Sequence, residues 1–346
     1  VMRILSVTLD RRVLDPHSAV GKRQTAYYRD HNVSYIVLDA PGRSKLATLF
    51  SAASEARRAR GFDVVTAQDP FFCGWIARVA SKASNAALHI QDHSGAFGRS
   101  AFDTRERLLR PVAKYVLRKA DRVRTVSERG KRGLVSIGIA EDKIDVIPIA
   151  TDVSRFSSLD RSRAMPNQIL CISRLEAEKG IGVLLSAFAI LHEKHPEASL
   201  VIVGDGSERK TLEKLARSFH INDAVLFAGA SDDVATYVSR AGVYVQPSYF
   251  EGWGLAVIEA AAAGLPIVMT DVGCAGEVIK HEESGLVVPP GNAHALADAL
   301  GRVLNDEALR RALGEAARRA IANLPGPDAT AEAIRRSLQA ALKVSS

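Results

Sequence analysis

Twice along this chain, short apolar runs rich in β-branched residues alternate with stretches of helical periodicity. The first series runs through Arg3–Thr8, Tyr35–Leu38, Val64–Ala67, Ala87–Gln91, Val123–Val126 and Lys143–Pro148. The second runs through Ile169–Ser173, Ser199–Val203, Val225–Phe227, Val243–Gln246, Ile267–Thr270 and Leu286–Val288. Strands separated by helix-length segments cannot pair as tight hairpins, so each series predicts a parallel sheet covered by helices on both faces. Between the series lies Ser157–Gln168, SSLDRSRAMPNQ, polar and without periodicity, which reads as a linker. The expectation is an α/β chain of two similar domains flanking a cleft: 1–156, the linker 157–168, and 169–325. A last amphipathic helix over 328–343 follows the breaker Leu324-Pro325-Gly326-Pro327 and sets 326–346 apart. A length of 346 residues is enough for two such cores.

Composition excludes several classes. With 47% hydrophobic and 25% charged residues the chain is neither disordered nor fibrous. The longest apolar stretch, Leu255–Met269, is interrupted by Glu259 and falls short of a membrane span. The first residues read as a strand without a secretory leader pattern. Cys73, Cys171 and Cys274 are too few and too scattered for a disulfide framework or a metal site, which favours a reducing cytosol. Charge is asymmetric: residues 1–150 carry 26 Lys and Arg against 15 Asp and Glu, a net +11, while residues 151–346 carry 20 against 24, a net −4. The first half is therefore expected to meet something anionic. Nucleic acid is disfavoured, because Arg99–Arg132 has only Tyr115 to offer as a Tyr or Trp for base stacking.

The most informative segment is Pro247–Val268, PSYFEGWGLAVIEAAAAGLPIV, where a strand ends in a glycine-rich turn that opens into an alanine-rich helix. Gly252 and Gly254 clear side chains from the turn, so that the backbone N–H groups up to Leu255, with the positive end of the helix dipole, can hold a phosphate or sugar hydroxyls. Glu251 and Glu259 lie eight residues apart. Were that spacing mostly helical they would be separated by roughly 12 Å, too far to flank one bond as paired hydrolase carboxylates do, and each would grip a different part of one long ligand. Arg174 and Lys179, after a strand end, suit the negative charge of a departing diphosphate; the competing reading is a surface pair such as Lys179 with Glu176. Gly204-Asp205-Gly206 also follows a strand, but Arg209 stands where a third glycine of the dinucleotide fingerprint would be, which leaves a tight turn facing the nucleotide.

The sequence EGWGLAVIE resembles the Glu-x7-Glu motif of the retaining glycosyltransferases of family four, which have the two-domain GT-B fold. Pro247-Ser248, Leu265-Pro266, the run Glu283–Pro289, Ser173-Arg174-Leu175-x-x-x-Lys179-Gly180 and Gly204-Asp205-Gly206 agree with it, so the likeness extends from about Leu88 to the end. It implies two Rossmann-like domains with parallel sheets facing a central cleft. It also implies transfer of a sugar, with retention, from a nucleoside diphosphate sugar to a hydroxyl of a glycan, lipid-linked or polysaccharide acceptor. By the same resemblance Glu259 holds the ribose and Glu251 the hydroxyls of the transferred sugar. His93, just past the strand Ala87–Gln91, sits where these enzymes carry a histidine that touches the transferred sugar. The expected catalytic set is His93, Arg174, Lys179 and Glu251, and the expected donor-binding set is Gly204, Asp205, Gly206, Gly252, Trp253, Gly254, Leu255 and Glu259. No cofactor beyond the sugar nucleotide is implied, and with no Asp-x-Asp triplet in the chain no obligatory metal is expected.

The sequence departs from that pattern after the first strand, where Asp15-Pro16-His17-Ser18-Ala19-Val20-Gly21-Lys22-Arg23 replaces the usual Gly-Gly loop. Lys22 and Arg23 either supply charges there or belong to a solvated basic loop. His89 reads as structural, and Asp92 either orients His93 or caps its loop. The segment Thr104–Lys119, TRERLLRPVAKYVLRK, repeats Leu108, Leu109, Val112, Val116 and Leu117 at helical spacing among six Lys and Arg, with Pro111 expected to kink or split it. It reads either as a core-packed helix with a basic face or as an element that visits an anionic inner leaflet, which makes the expected location cytoplasmic, at the inner face of the membrane. Two alternatives stay open: another sugar-nucleotide enzyme on this fold, an epimerase or phosphorylase, and a basic nucleic-acid-binding protein.

Overall fold

The computed structural model describes residues 1–39, 44–95, 97 and 104–344. They form two compact units, Val1–Ala150 with Pro325–Ser346, and Thr151–Leu324. In the first unit β1 (Arg3–Thr8), α1 (Ala19–Tyr27), β2 (Asn32–Val37), α2 (Lys45–Arg58), β3 (Val64–Ala67), α3 (Phe72–Ser84), β4 (Ala87–Asp92), α4 (Thr104–Arg118), β5 (Arg122–Thr125), α5 (Glu128–Ser136) and β6 (Ile144–Val146) follow in chain order. The sheet order is β2-β1-β3-β4-β5-β6, with every pairing parallel. In the second unit come α6 (Ser154–Ser157), β7 (Met165–Ile172), α7 (Ile181–His192), β8 (Ser199–Val203), α8 (Arg209–Ser218), β9 (Val225–Gly229), α9 (Val234–Arg240), β10 (Ala241–Gln246), α10 (Leu255–Ala262), β11 (Ile267–Thr270), β12 (Leu286–Val288), α11 (Ala293–Asn305) and α12 (Glu307–Ala322). Its sheet order is β12-β11-β10-β7-β8-β9, again parallel. The last helix, α13 (Pro327–Val344), belongs to the first unit.

Alternate residues of the first sheet feed two cores, as the period of two along a strand requires. Leu5, Val65, Leu88 and Val123 face the layer built on Ile76, Ala77 and Ala80 of α3. Ile4, Val64 and Ala87 face Tyr27 of α1 and Ile334 and Leu338 of α13. Complete burial of Ile334 and Leu338 ties α13 to this sheet by on the order of 2 kcal/mol each. In the second unit Ile169, Cys171, Leu200, Val243 and Val268 pack against Leu184, Phe188, Leu296 and Leu300 of α7 and α11.

Three expectations need correction. The stretch 157–168 is not a structureless linker: α6 ends at Ser157 and β7 already starts at Met165. The polar start of β7 is held by a neighbour far away in sequence. Ala241 pairs with Met165, and Gly242 lies so close to Pro166 that a Cβ would sit 2.1 Å from its carbonyl oxygen. Lys22 and Arg23 stand on α1 rather than in a loop. Ser18 caps that helix through Gly21 N–H at 2.9 Å, and a Cβ on Gly21 would fall 1.9 Å from the Asp15 carbonyl, so only glycine lets the turn close this tightly. Finally, Pro111 lies inside a continuous α4. It is on the exposed side, where water can take the Arg107 carbonyl that proline leaves without a backbone donor.

Candidate functional site

In each sheet the strand order reverses once, and open α/β sheets present ligand crevices at the carboxyl ends of the strands where it does. In the second unit the reversal falls between β7 and β10. Beyond those two ends lie Ser173–Gly180 and Pro247–Leu255, the segments that carry most of the expected site.

Glycine lets the two segments touch. Gly180 has φ +65°, and a Cβ there would lie 2.2 Å from the Pro247 carbonyl oxygen; Tyr249 N–H donates to the Glu178 carbonyl at 2.9 Å. This contact carries Lys179 to Glu251, Nζ to Oε1 at 2.7 Å, with each side chain only 13% exposed. The same oxygen accepts from Ser248 Oγ at 2.9 Å and from Gln246 Nε2 at 3.0 Å. Gln246 also donates to Ser248 Oγ at 2.7 Å, and its Oε1 accepts the Tyr244 hydroxyl at 2.6 Å. Three donors thus converge on Oε1, whereas Oε2 takes none among the described residues. The partner of Lys179 is therefore Glu251 and not Glu176, whose carboxylate accepts Ser207 N–H and Oγ.

Arg174 is not drawn into that cluster. Its guanidinium pairs with Glu178 at 3.0 Å and its side chain is 68% exposed. Gly204-Asp205-Gly206 is stitched to the same strand end: a Cβ on Gly204 would fall 1.8 Å from the Ser173 carbonyl, and Leu175 N–H donates to the Asp205 carbonyl at 2.9 Å. The Asp205 carboxylate accepts Gly206 N–H at 2.8 Å and faces Arg209 at 3.3 Å.

The glycine-rich turn leads into α10 through Gly254, at φ +95°. No described residue takes the backbone N–H groups of Gly252, Trp253, Gly254 or Leu255. The Trp253 side chain is buried, and its carbonyl accepts Cys274 N–H at 3.0 Å; what this residue offers at the surface of the turn is its amide. Since α10 begins only at Leu255, half of the Glu251–Glu259 spacing is not helical, and the separation expected from a mostly helical spacing does not apply. The Glu259 side chain is half-buried, and its carboxylate has neither hydrogen bond nor ion pair among the described residues. Loss of solvent, partly offset by Arg155, pushes its carboxyl up to about 7. An acceptor held at the wall of a crevice without a donor is suited to hydroxyl groups of a ligand.

In the first unit His93 lies just past β4, half-buried, with Nε2 3.2 Å from Gln91 Oε1. Burial, then the charges of Arg124 and Arg23, hold its imidazole down to about 3. Asp92 accepts Ser94 N–H at 3.0 Å and Ser94 Oγ at 2.7 Å, which caps the loop. His89 is fully buried within the sheet, as a structural residue would be.

Sequence reasoning named Ser248 only beside the motif, and it missed Tyr244 and Gln246 in the second unit and Thr66, Gln91 and Arg124 in the first. The signal was there: these are polar side chains inside runs that otherwise read as buried strand. A hollow of about 800 Å³ opens at the opposite ends of β7, β10 and β11, lined by Arg161, Arg310, Arg311 and Arg318 among others. It contains none of the expected site residues, and its lack of convergent buried acceptors makes it the weaker ligand candidate. Among the described residues no group of three His, Cys, Asp or Glu is placed to hold a metal ion.

Residues 157–320 match the family described as glycosyl transferases group 1, and residues 6–150 match the glycosyl transferase 4-like domain. A glycogen synthase of Mycobacterium tuberculosis is 31% identical over 242 residues, 68% of this chain and 56% of that protein. A GDP-mannose-dependent alpha-(1-6)-phosphatidylinositol monomannoside mannosyltransferase of the same organism is 31% identical over 230 residues, 60% of each. The chain thus spans little more than half the length of these curated relatives. The crystal structure of Anabaena Alr3699/HepE in complex with UDP and glucose superimposes with a TM-score of 0.78 at 18% identity, covering 98% of this chain and 100% of that one. The chain therefore joins a glycosyl transferase 4-like domain to a glycosyl transferases group 1 domain, and is a GT-B homologue of the glycosyltransferases.

Proposed function

We propose that this protein is a glycosyltransferase that moves a sugar from a nucleoside diphosphate sugar to a hydroxyl acceptor with retention of configuration. The observation that carries this reading is the combination at one switch point of an unpartnered carboxylate, Glu259, a turn of open N–H groups over 252–255, and the Lys179–Glu251 pair with one carboxylate oxygen left over. These three features match the parts of the donor in order. Glu259 accepts the ribose hydroxyls, the open N–H groups and Lys179 meet the diphosphate, and Glu251 Oε2 accepts from the transferred sugar. Arg174, whose side chain is 68% exposed, reaches the diphosphate by leaving Glu178.

In the reaction the bond from the anomeric carbon to the diphosphate oxygen breaks and the acceptor oxygen bonds to the same face of that carbon. The acceptor proton passes to the departing phosphate oxygen. Lys179 and the turn amides offset the charge that grows on that phosphate, a task for fixed donors aimed at the transition state.

A panel of nucleoside diphosphate sugars screened by thermal shift will identify the donor. At about a hundred times Kd the expected stabilisation is about 2.7 kcal/mol, several degrees for a chain of this size. Proton NMR of the product will then show the retained anomer; an inverted product would overturn the mechanism.

For the acceptor we propose a glycan, lipid-linked or polysaccharide hydroxyl presented at an anionic membrane surface. Within α4, Ala113, Val116 and Leu117 enter the core, whereas Leu108 at 71% exposure, Val112 at 37% and Tyr115 at 48% form an outward stripe at i, i+4 and i+7. Arg107, Lys114, Arg118 and Lys119 flank it. Each cation near an anionic surface contributes about 1 kcal/mol, an attraction that salt weakens. Flotation with vesicles should show binding to anionic lipid at low salt and release at high salt, with none to neutral lipid. No binding to anionic vesicles at low salt would point to an acceptor free in solution.

A further inference from the structure

A row of buried side chains in the first unit ends at His93, and the chemistry of its members settles where each proton lies. At the far end Asp145 accepts two hydrogen bonds from Arg122, at 2.7 and 2.6 Å, and one from Ser337 Oγ of α13 at 2.6 Å. Burial alone would raise its carboxyl, but those bonds and the guanidinium charge hold it below the ordinary range. A carboxylate only accepts, so the Ser337 proton points to Asp145 and the Ser337 oxygen accepts from His89 Nε2 at 3.0 Å. Burial keeps His89 neutral. With its one proton on Nε2, its Nδ1 is bare and takes the Thr66 hydroxyl proton at 2.9 Å. Thr66 Oγ1 is then free to accept Gln91 Nε2 at 3.3 Å.

The same amide orientation is dictated from the opposite side. The Arg124 guanidinium can only donate, and its Nη1 lies 2.8 Å from Gln91 Oε1. Arg124 is itself immobilised: it is fully buried, donates to the carbonyls of Ile147 at 3.1 Å and Pro148 at 3.2 Å, and lies over the Tyr27 ring at 5.7 Å. Both routes leave Gln91 Oε1 facing His93 Nε2, so that nitrogen must carry a proton. His93 Nδ1 has no partner among the described residues.

We propose that Gln91 and Arg124 are positioning residues that lock His93 as the Nε2-protonated neutral tautomer, so that the imidazole meets its ligand through the bare Nδ1, accepting a hydroxyl proton from the transferred sugar. The sugar contact rests on the reading of His93 as a site residue; the tautomer does not. Among the described residues, the charged and titratable groups that act on His93 are Arg124 of β5, Arg23 of α1 and His89 of β4. Two are cations and the third a neutral ring, an arrangement that opposes a positive imidazolium. His93 is therefore a fixed acceptor and not a proton shuttle.

Long-range 1H–15N spectra of the histidine rings in the native protein, with His93 assigned by its loss in His93→Asn, test this without any activity measurement. The expected spectrum has a protonated Nε2 and an unprotonated Nδ1 that hold their shifts from pH 5.5 to 8. A proton on Nδ1, or titration within that range, would overturn the proposal. In Gln91→Leu the two ring nitrogens should move toward averaged shifts, and kcat/KM should fall about tenfold; unchanged shifts in that variant would remove Gln91 from the positioning role. Should Gln91→Leu fold poorly, the native spectrum still decides the tautomer. For the sugar contact, His93→Asn, whose amide oxygen can stand in for Nδ1, should keep about tenfold more transfer than His93→Gln, which mimics Nε2. The expected spectrum with equal activity in the two variants would overturn the sugar contact alone.

Discussion

Replacing Lys179 by alanine should lower kcat for sugar transfer by about a hundred- to a thousandfold, the loss typical when one fixed donor aimed at transition-state charge is removed. The expectation follows from placement. Lys179 is held at 2.7 Å by Glu251, a group of the protein itself, so it is a fixed donor when charge develops on the departing phosphate. The same substitution leaves a largely buried carboxylate with neutral donors only, from Gln246 and Ser248, which should cost about 3 kcal/mol of stability. The two effects separate in the double variant Lys179→Ala with Glu251→Gln. Neutralising the orphaned carboxylate should restore most of the melting temperature and none of the rate. Were kcat in Lys179→Ala to stay within about threefold of the native value, charge stabilisation by Lys179 would be excluded.

The second large effect is a trade of function for stability at Glu259. Its carboxyl is pushed up from 4.5 to about 7 by burial, so between those values the folded chain holds a proton that the unfolded chain has released. Stability therefore falls as pH rises from about 4.5 to 7 and is level above. Such a shift corresponds to about 3 kcal/mol at 1.36 kcal/mol per pH unit, a ceiling for a group that keeps some contact with solvent. Glu259→Gln, neutral at every pH, should be more stable than the native protein by about 1–3 kcal/mol at pH 8 and nearly equal to it at pH 4.5. Thermal or urea unfolding at the two pH values measures this, and a difference that does not change with pH would mean that the carboxyl is solvated. Calorimetry on the same variant should show weaker binding of the nucleoside diphosphate, because a carboxylate that accepts two ribose hydroxyls is replaced by an amide with one acceptor. For the native protein the affinity should rise with pH through about 7, as the ligand selects the ionised form. Unchanged affinity in Glu259→Gln would take Glu259 out of the ribose role.

Much of this protein was legible in its amino-acid order because the deciding forces act over short distances along the chain. The bounds of β1, β3, β8, β11 and β12 follow from runs of β-branched and apolar residues that must be buried on both faces. The open turn at Gly252–Leu255 follows from glycines placed between a strand end and a good helix former. What only the tertiary structure decided depends on sheet order and register. Lys179 and Glu251 lie 72 positions apart and meet because β7 and β10 are neighbours and Gly180 admits the Pro247 carbonyl. The early start of β7 at Met165 depends on Ala241, and the bond from His89 to Ser337 spans 248 positions. Arg124, a cation in a strand, gives no local hint that it faces a glutamine and two carbonyls in the interior. Local propensity selects which segments are strands and which turns stay open; the partners of buried polar groups are chosen by which strands lie side by side, because only there can desolvation be offset by hydrogen bonds.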